Sequence, residues 1–128
     1  MKIFLPLITV SLFFFSCEEE NKVKSIEKEV RIDSMQIEPT MRLGDIANFK
    51  IYFSYENPCA TFSRLENTVV LDTIFLKAFG NYREGNCLTV ESPDSTYINY
   101  EARTLGTKYF KWKQLNGQEK VDSFRVVM

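Results

Sequence analysis

The chain has 128 residues, 45% of them hydrophobic and 26% charged, with a net charge of −1 and no histidine. A balance so close to neutral predicts neither a nucleic-acid nor an anionic-membrane partner. Without histidine the commonest general base, the commonest metal ligand and the usual serine and cysteine triads are missing, so neither an enzyme nor a metal or other cofactor is expected.

Residues 1–17 read MKIFLPLITVSLFFFSC, in which Lys2 gives a positive start and Ile3 to Phe15 an apolar run with no charge before Glu18. That is the pattern of a secretion leader. The 15 residues from Ile3 to Cys17 fall short of the roughly 20 that a membrane span needs. Phe14-Phe15-Ser16-Cys17 resembles the lipobox of bacterial lipoprotein precursors, with an apolar residue three before the cysteine and a small one just before it. The resemblance implies removal of 1–16 as a signal peptide, acyl chains on Cys17 and attachment to a membrane through them. Glu18, Glu19 and Glu20 are similar to the acidic signal that sends some Bacteroidota lipoproteins to the outer face of the outer membrane. Residues 17–28 are then expected to be lipidated cysteine and tether, and 29–128 one domain of about 100 residues with a modest core.

The domain reads as strands. Val30 and Ile32 alternate with charged neighbours and Met35 and Ile37 continue on a shifted register, which predicts a bulge or sheet switch near Ser34. Phe49, Ile51, Phe53 and Tyr55 alternate with Lys50, Tyr52, Ser54 and Glu56 and predict a half-buried strand, ended by Asn57-Pro58. Cys59 to Leu65 suits a strand or a loop. Thr68 to Phe79, rich in β-branched and aromatic residues, predicts one long central strand. A turn at 80–86, a short strand Cys87 to Val90, a loop Glu91 to Thr96 and a strand Tyr97 to Thr104 follow. Thr107 to Gln114 and Glu119 to Val127 flank Asn116-Gly117 and predict a hairpin. Lys108, Lys111 and Lys113, interleaved with Tyr109, Phe110 and Trp112, are expected as a solvated strand face. About seven such strands predict an all-β, antiparallel sandwich.

Export leads to an oxidising compartment, so Cys59 and Cys87, the pair left once Cys17 is lipidated, are expected to form a disulfide; two buried free thiols are the alternative. Gly44-Asp45, Asn57-Pro58-Cys59, Cys87 and Gly106-Thr107-x-Tyr109, after a lipobox and an acidic tract, resemble small Bacteroidota lipoproteins with an immunoglobulin-like domain, a largely uncharacterised family. What this implies is a fold and a location. The sole tryptophan, Trp112, stands far from the early strands where antibody domains carry theirs.

Four of the five aspartates, Asp33, Asp72, Asp94 and Asp122, precede Ser or Thr. Around Ser34, Thr73 and Ser95 the following residue also fits a pattern similar to the Bacteroidota O-glycosylation signal, with Ser95 foremost because the loop Glu91 to Thr96 is expected to be exposed; the competing explanation is ordinary turn and strand-edge chemistry. Glu91 and Asp94 are a conceivable carboxylate pair or calcium site but have no regular ligand spacing, and loop solvation accounts for them better. Among Tyr52, Tyr82, Tyr97, Tyr100, Tyr109 and Trp112 a sugar- or peptide-binding face is conceivable, although core packing suffices for most. Tyr82, in a glycine-flanked turn, is the candidate binding residue. The expected role is that of a non-enzymatic, lipid-anchored envelope module serving a protein or glycan partner; the alternative is a small inhibitor or stress lipoprotein whose loop plugs a foreign enzyme.

Overall fold

The structure, a computed structural model, describes residues 24–128. The leader, Cys17 and the acidic tract lie outside the described residues. Eight strands follow in order: β1 (Ser25–Gln36), β2 (Thr40–Arg42), β3 (Ile46–Tyr55), β4 (Ala60–Val70), β5 (Thr73–Arg83), β6 (Ser92–Glu101), β7 (Gly106–Lys113) and β8 (Glu119–Val127). They form one curled sheet of order β2-β8-β7-β5-β1-β3-β6, with β4 on the free edge of β5. The all-β expectation holds. The sheet is mixed, however, not wholly antiparallel: β7 runs parallel to the first half of β5 and β2 parallel to β8. Strand β2, three residues long and directly after Glu38-Pro39, is the element missed.

The curl turns on β1. Its first half, Ser25–Val30, pairs with Arg83–Ala78 of β5, and its second half pairs with Ser54–Lys50 of β3. Between Ile32 and Ser34 the register slips, which leaves Asp33 as a bulged residue. Of the two alternatives expected near Ser34, the bulge falls there, at Asp33, and the change of partner comes just before it, between Val30 and Arg31. Strand β1 also begins at Ser25, inside the stretch expected as tether, because Ser25–Lys28 find partners on β5 that no local pattern announces.

Two expected elements are redrawn. Thr68 to Phe79 is not one strand: Val70 pairs with Thr73 around a Leu71-Asp72 turn, joining β4 to β5. Leu71 takes φ 55°, a left-handed conformation usually signalled by Gly or Asn. Cys87 to Val90 is irregular, while Ser92–Thr96, expected as loop, is the first half of β6. Pro93 is tolerated there because β6 pairs only with β3 and its other side is an edge. Cys59 to Leu65 resolves into β4, and the Asn116-Gly117 hairpin forms, with Gly117 at φ 81°.

The core lies inside the curl. Phe49, Ile51 and Phe53 of β3 are each at most 1% exposed, and Phe49 meets Phe110 of β7 and Phe124 of β8 at ring-centroid distances of 5.4 and 5.0 Å. Cys59 and Cys87 are bonded, with Cα atoms 6.0 Å apart, and the bridge ties the entry of β4 to the segment after β5.

Lys108 departs from the solvated face expected of it. It shares strand parity with buried Phe110 and Trp112, is 3% exposed, and its ammonium donates to Asp72 at 2.6 Å and Thr104 at 2.5 Å. The β4–β5 turn is thereby tied to the β6–β7 connection. Asp72→Ala should cost about 1–3 kcal/mol by leaving the buried ammonium short of its charged acceptor, and Lys108→Met less, because no buried charge then remains. Urea unfolding of the two variants checks the order, and a costlier Lys108→Met would contradict it.

Candidate functional site

Because Phe49, Ile51, Phe53 and Tyr55 point into the core, Lys50, Tyr52 and Ser54 point out of β3. Pairing with β6 sets Tyr97 beside Lys50 and Ser95 beside Tyr52. Pairing with β1, slipped by the bulge, sets Ser34 beside Tyr52 and Gln36 beside Lys50. The outer face of β1–β3–β6 thus carries two rows: Ser34–Tyr52–Ser95 and Gln36–Lys50–Tyr97.

The Lys50 ammonium stands 5.1 Å from the Tyr52 ring centroid and 5.7 Å from that of Tyr97, so cation–π attraction holds the two rings about one charge. The Tyr52 hydroxyl donates to Gln36 Oε1 at 3.3 Å. Tyr97 is nonetheless 62% exposed. Between its ring and the Glu38-Pro39 link to β2 runs an open groove of about 560 Å³, floored by Asn48 and Lys50 and ended by Gln36.

At the upper end of this face Arg31 is a hub. Its Nε donates to Asp33 at 2.7 Å, its two terminal nitrogens donate to both Glu91 oxygens at 3.0 and 3.1 Å, and Ser54 Oγ donates to the other Asp33 oxygen at 2.5 Å. The bulge makes this possible by freeing Asp33 from the ladder. Bonding to Glu91, then to Asp33, raises the guanidinium pKa. Asp94 instead accepts from the Tyr55 hydroxyl at 2.6 Å, in register with inward-facing Phe53. Glu91 and Asp94 are therefore engaged by separate donors on opposite sides of the sheet, and no acid pair forms. Among the described residues no cluster of three or more Asp, Glu or Cys is placed to hold a metal.

Burial first, and the bond to Asp94 second, push the Tyr55 hydroxyl well above its ordinary value near 10. A raised folded-state pKa contributes stability that is intact below the unfolded value and fades as pH climbs past it. The urea midpoint should accordingly begin to fall above about pH 10, and Tyr55→Phe should flatten that fall. Equal slopes in the two proteins would contradict the assignment.

The other sequence-derived candidates fall in several places. Ser95 is not on the exposed loop expected of it: it is half-buried within β6, whereas Ser34 is exposed, and both flank Tyr52; Thr73 is half-buried where β5 begins. Tyr82 is not the exposed turn residue expected. At 7% exposure it continues the inward parity of Ile74, Leu76 and Ala78, and its hydroxyl accepts from the Glu56 N–H at 3.1 Å. Parity carried through Gly80 would have found this. Tyr97 was one of six aromatics named for a sugar- or peptide-binding face, but its meeting with Lys50 depends on β3–β6 register, which no local pattern reveals.

A second groove, about 580 Å³, opens on the opposite layer among Phe75, Lys77, Lys111, Lys113, Glu29 and Glu119. Lys77 stands opposite Glu66 and Lys113 opposite Glu119, which makes it a balanced, solvated face of flexible side chains, as expected of Lys111 and Lys113. No family model, no curated protein and no solved structure matches this chain.

Proposed function

We propose that this chain is a non-enzymatic, lipid-anchored module of the bacterial cell envelope, held at the outer membrane through acyl chains on Cys17, and that it offers the outer face of β1–β3–β6 to a protein or glycan partner. The observation that carries the binding role is Tyr97, left 62% exposed beside a polar groove although most other aromatics among the described residues are packed. The anchor rests on the leader and on Phe14-Phe15-Ser16-Cys17, and the absence of histidine supports a role without catalysis. An immunoglobulin-like sandwich is our finer reading of the fold, supported by β1 pairing in both layers and by the terminal β7–β8 hairpin. Ser34, Thr73 and Ser95 are read as acceptor hydroxyls for glycosylation, with Ser34 foremost because its side is exposed and follows a bulge.

Expressed from its own leader in a lipoprotein-processing bacterium, the chain should sediment with membranes, and Cys17→Ser should release it or leave unprocessed precursor. Membrane association that survives Cys17→Ser without precursor would sink the anchor.

One observation favours the inhibitor reading as second choice. Leu88 and Val90, 74% and 60% exposed, project from a loop held by the Cys87 bridge at one end and by the Arg31–Glu91 pair at the other. A preorganised apolar loop of this kind suits a foreign active site. Inhibition of a secreted protease that disappears in Leu88→Asp would support it; indifference of such enzymes to the chain would remove it.

A further inference from the structure

We propose that the groove beside Tyr97 binds a neutral glycan, with one sugar ring stacked on the exposed tyrosine face and its hydroxyls held by Gln36, Glu38, Asn48 and Lys50. The proposal rests on the outer face of β1–β3–β6 being the working surface, and it names the ligand class.

The backbone comes first. Along the groove floor Lys50 of β3 pairs with Gln36 of β1 on one side and with Tyr97 of β6 on the other, and Asn48 pairs with Asn99 of β6. The free edge of β6 faces away from β3, so a peptide that added a strand there would lie outside the groove. Within the groove, recognition falls chiefly to side chains.

Charge narrows the choice further. Lys50 and Glu38 line the same groove and cancel, so an anion meets the carboxylate and a cation meets the ammonium. A ligand without charge meets neither penalty. Hydrogen-bond capacity then separates a sugar from a hydrocarbon. The ammonium only donates, the carboxylate only accepts, and the amides of Gln36 and Asn48 do both. Among the described residues Glu38, Asn48 and Lys50 have no side-chain hydrogen-bond partner, and Gln36 uses only its oxygen, toward Tyr52. An apolar ligand would strip water from all four without replacing it. Adjacent hydroxyls, each both donor and acceptor, can engage every one of them.

Tyr97 supplies the remaining element. A sugar ring presents a C–H face that packs on an aromatic plane, and Lys50 lying over the ring restrains that plane before the ligand arrives. Pro39, across the groove, gives a stiff opposite wall.

The test uses the full chain in a sugar-free detergent, with tyrosine side chains isotopically labelled for NMR. The probes are maltohexaose, cellohexaose, xylohexaose and mannohexaose, with hexagalacturonate as the acidic counterpart, each taken to about 10 mM so that a dissociation constant near 1 mM is readily seen. At least one neutral hexasaccharide should shift Tyr97 and leave Tyr109, on the opposite layer, unmoved. Tyr97→Ala and Asn48→Ala should each weaken that binding about tenfold while leaving the urea midpoint unchanged, and Tyr97→Phe, which keeps the ring, should retain it. The proposal is overturned if no neutral probe shifts Tyr97, if binding survives Tyr97→Ala, or if hexagalacturonate binds more tightly than every neutral probe. Failure of the sugars with Cys17-dependent membrane attachment intact removes the ligand class and leaves the anchored module standing. Loss of Cys17 dependence removes the anchor whatever the sugars do.

Discussion

Phe49→Ala should destabilise the domain by about 3–5 kcal/mol. Phe49 is 1% exposed and reaches from β3 across the inside of the curl, with ring centroids 5.4 Å from Phe110, 5.0 Å from Phe124 and 6.3 Å from Tyr100. Truncation removes one ring's burial and opens a cavity among three others that cannot close it without moving β6, β7 and β8 together. A domain of about 100 residues holds only about 5–15 kcal/mol in total, so the variant should be partly unfolded at 37 °C. Phe49→Leu, which keeps most of the volume, should cost about 1.5 kcal/mol or less and retain the fold. Urea unfolding of both measures the difference. A loss below about 1 kcal/mol for Phe49→Ala would mean that β3 does not pack across onto β7 and β8.

Removing the bridge should have the next largest effect. Cys59 and Cys87 are 28 positions apart, and closing a loop of that size in the unfolded chain is worth about 3–4 kcal/mol in the chain-entropy model. The bridge joins the start of β4 to the irregular segment after β5, and β4 and β5 are already paired along their length. Cys59→Ala combined with Cys87→Ala, or reduction of the parent chain, should therefore lower the unfolding free energy by about 3 kcal/mol. It should also release Leu88 and Val90, raising hydrogen exchange from Gly85 to Val90 while Glu91 stays held by Arg31. A double variant as stable as the parent would contradict this. Because the two effects together approach the whole stability of the domain, Phe49→Ala in reduced protein should not fold.

The parts of the fold legible in the sequence were those with a local cause. Phe49 to Tyr55 alternate because one face of β3 is buried and the other wet, and the slip after Ile32 marks the bulge because the inward residues change parity there. Where tertiary pairing overrode local preference, legibility failed. Leu71 takes a turn conformation that its residue type does not advertise, and Ser92-Pro93-Asp94-Ser95 has loop composition yet pairs along β3. Tyr82 suffered from its neighbours: glycines suggested a turn, whereas Gly80 lies within β5, where an added Cβ would come within 3.0 Å of the Tyr55 ring. The bridge was legible from the two cysteines that remain after a leader pattern ending at Cys17, and Lys108 was misplaced by being grouped with Lys111 and Lys113, although it shares the i, i+2 parity of Phe110 and Trp112. The groove was the least legible feature. Gln36, Lys50 and Tyr97 come from three strands, and only the slipped β1 register and the β6 register bring them into one row.

A bridged domain carried on a lipidated Cys17, as we propose, has a distinctive intact mass when the protein is extracted from its native membrane and alkylated with and without prior reduction. The expected chain begins at Cys17 and bears acyl groups, with Cys59 and Cys87 taking up alkyl groups only after reduction. A mass beginning at Met1, a chain without lipid, or alkylation of Cys59 and Cys87 without reduction would contradict it.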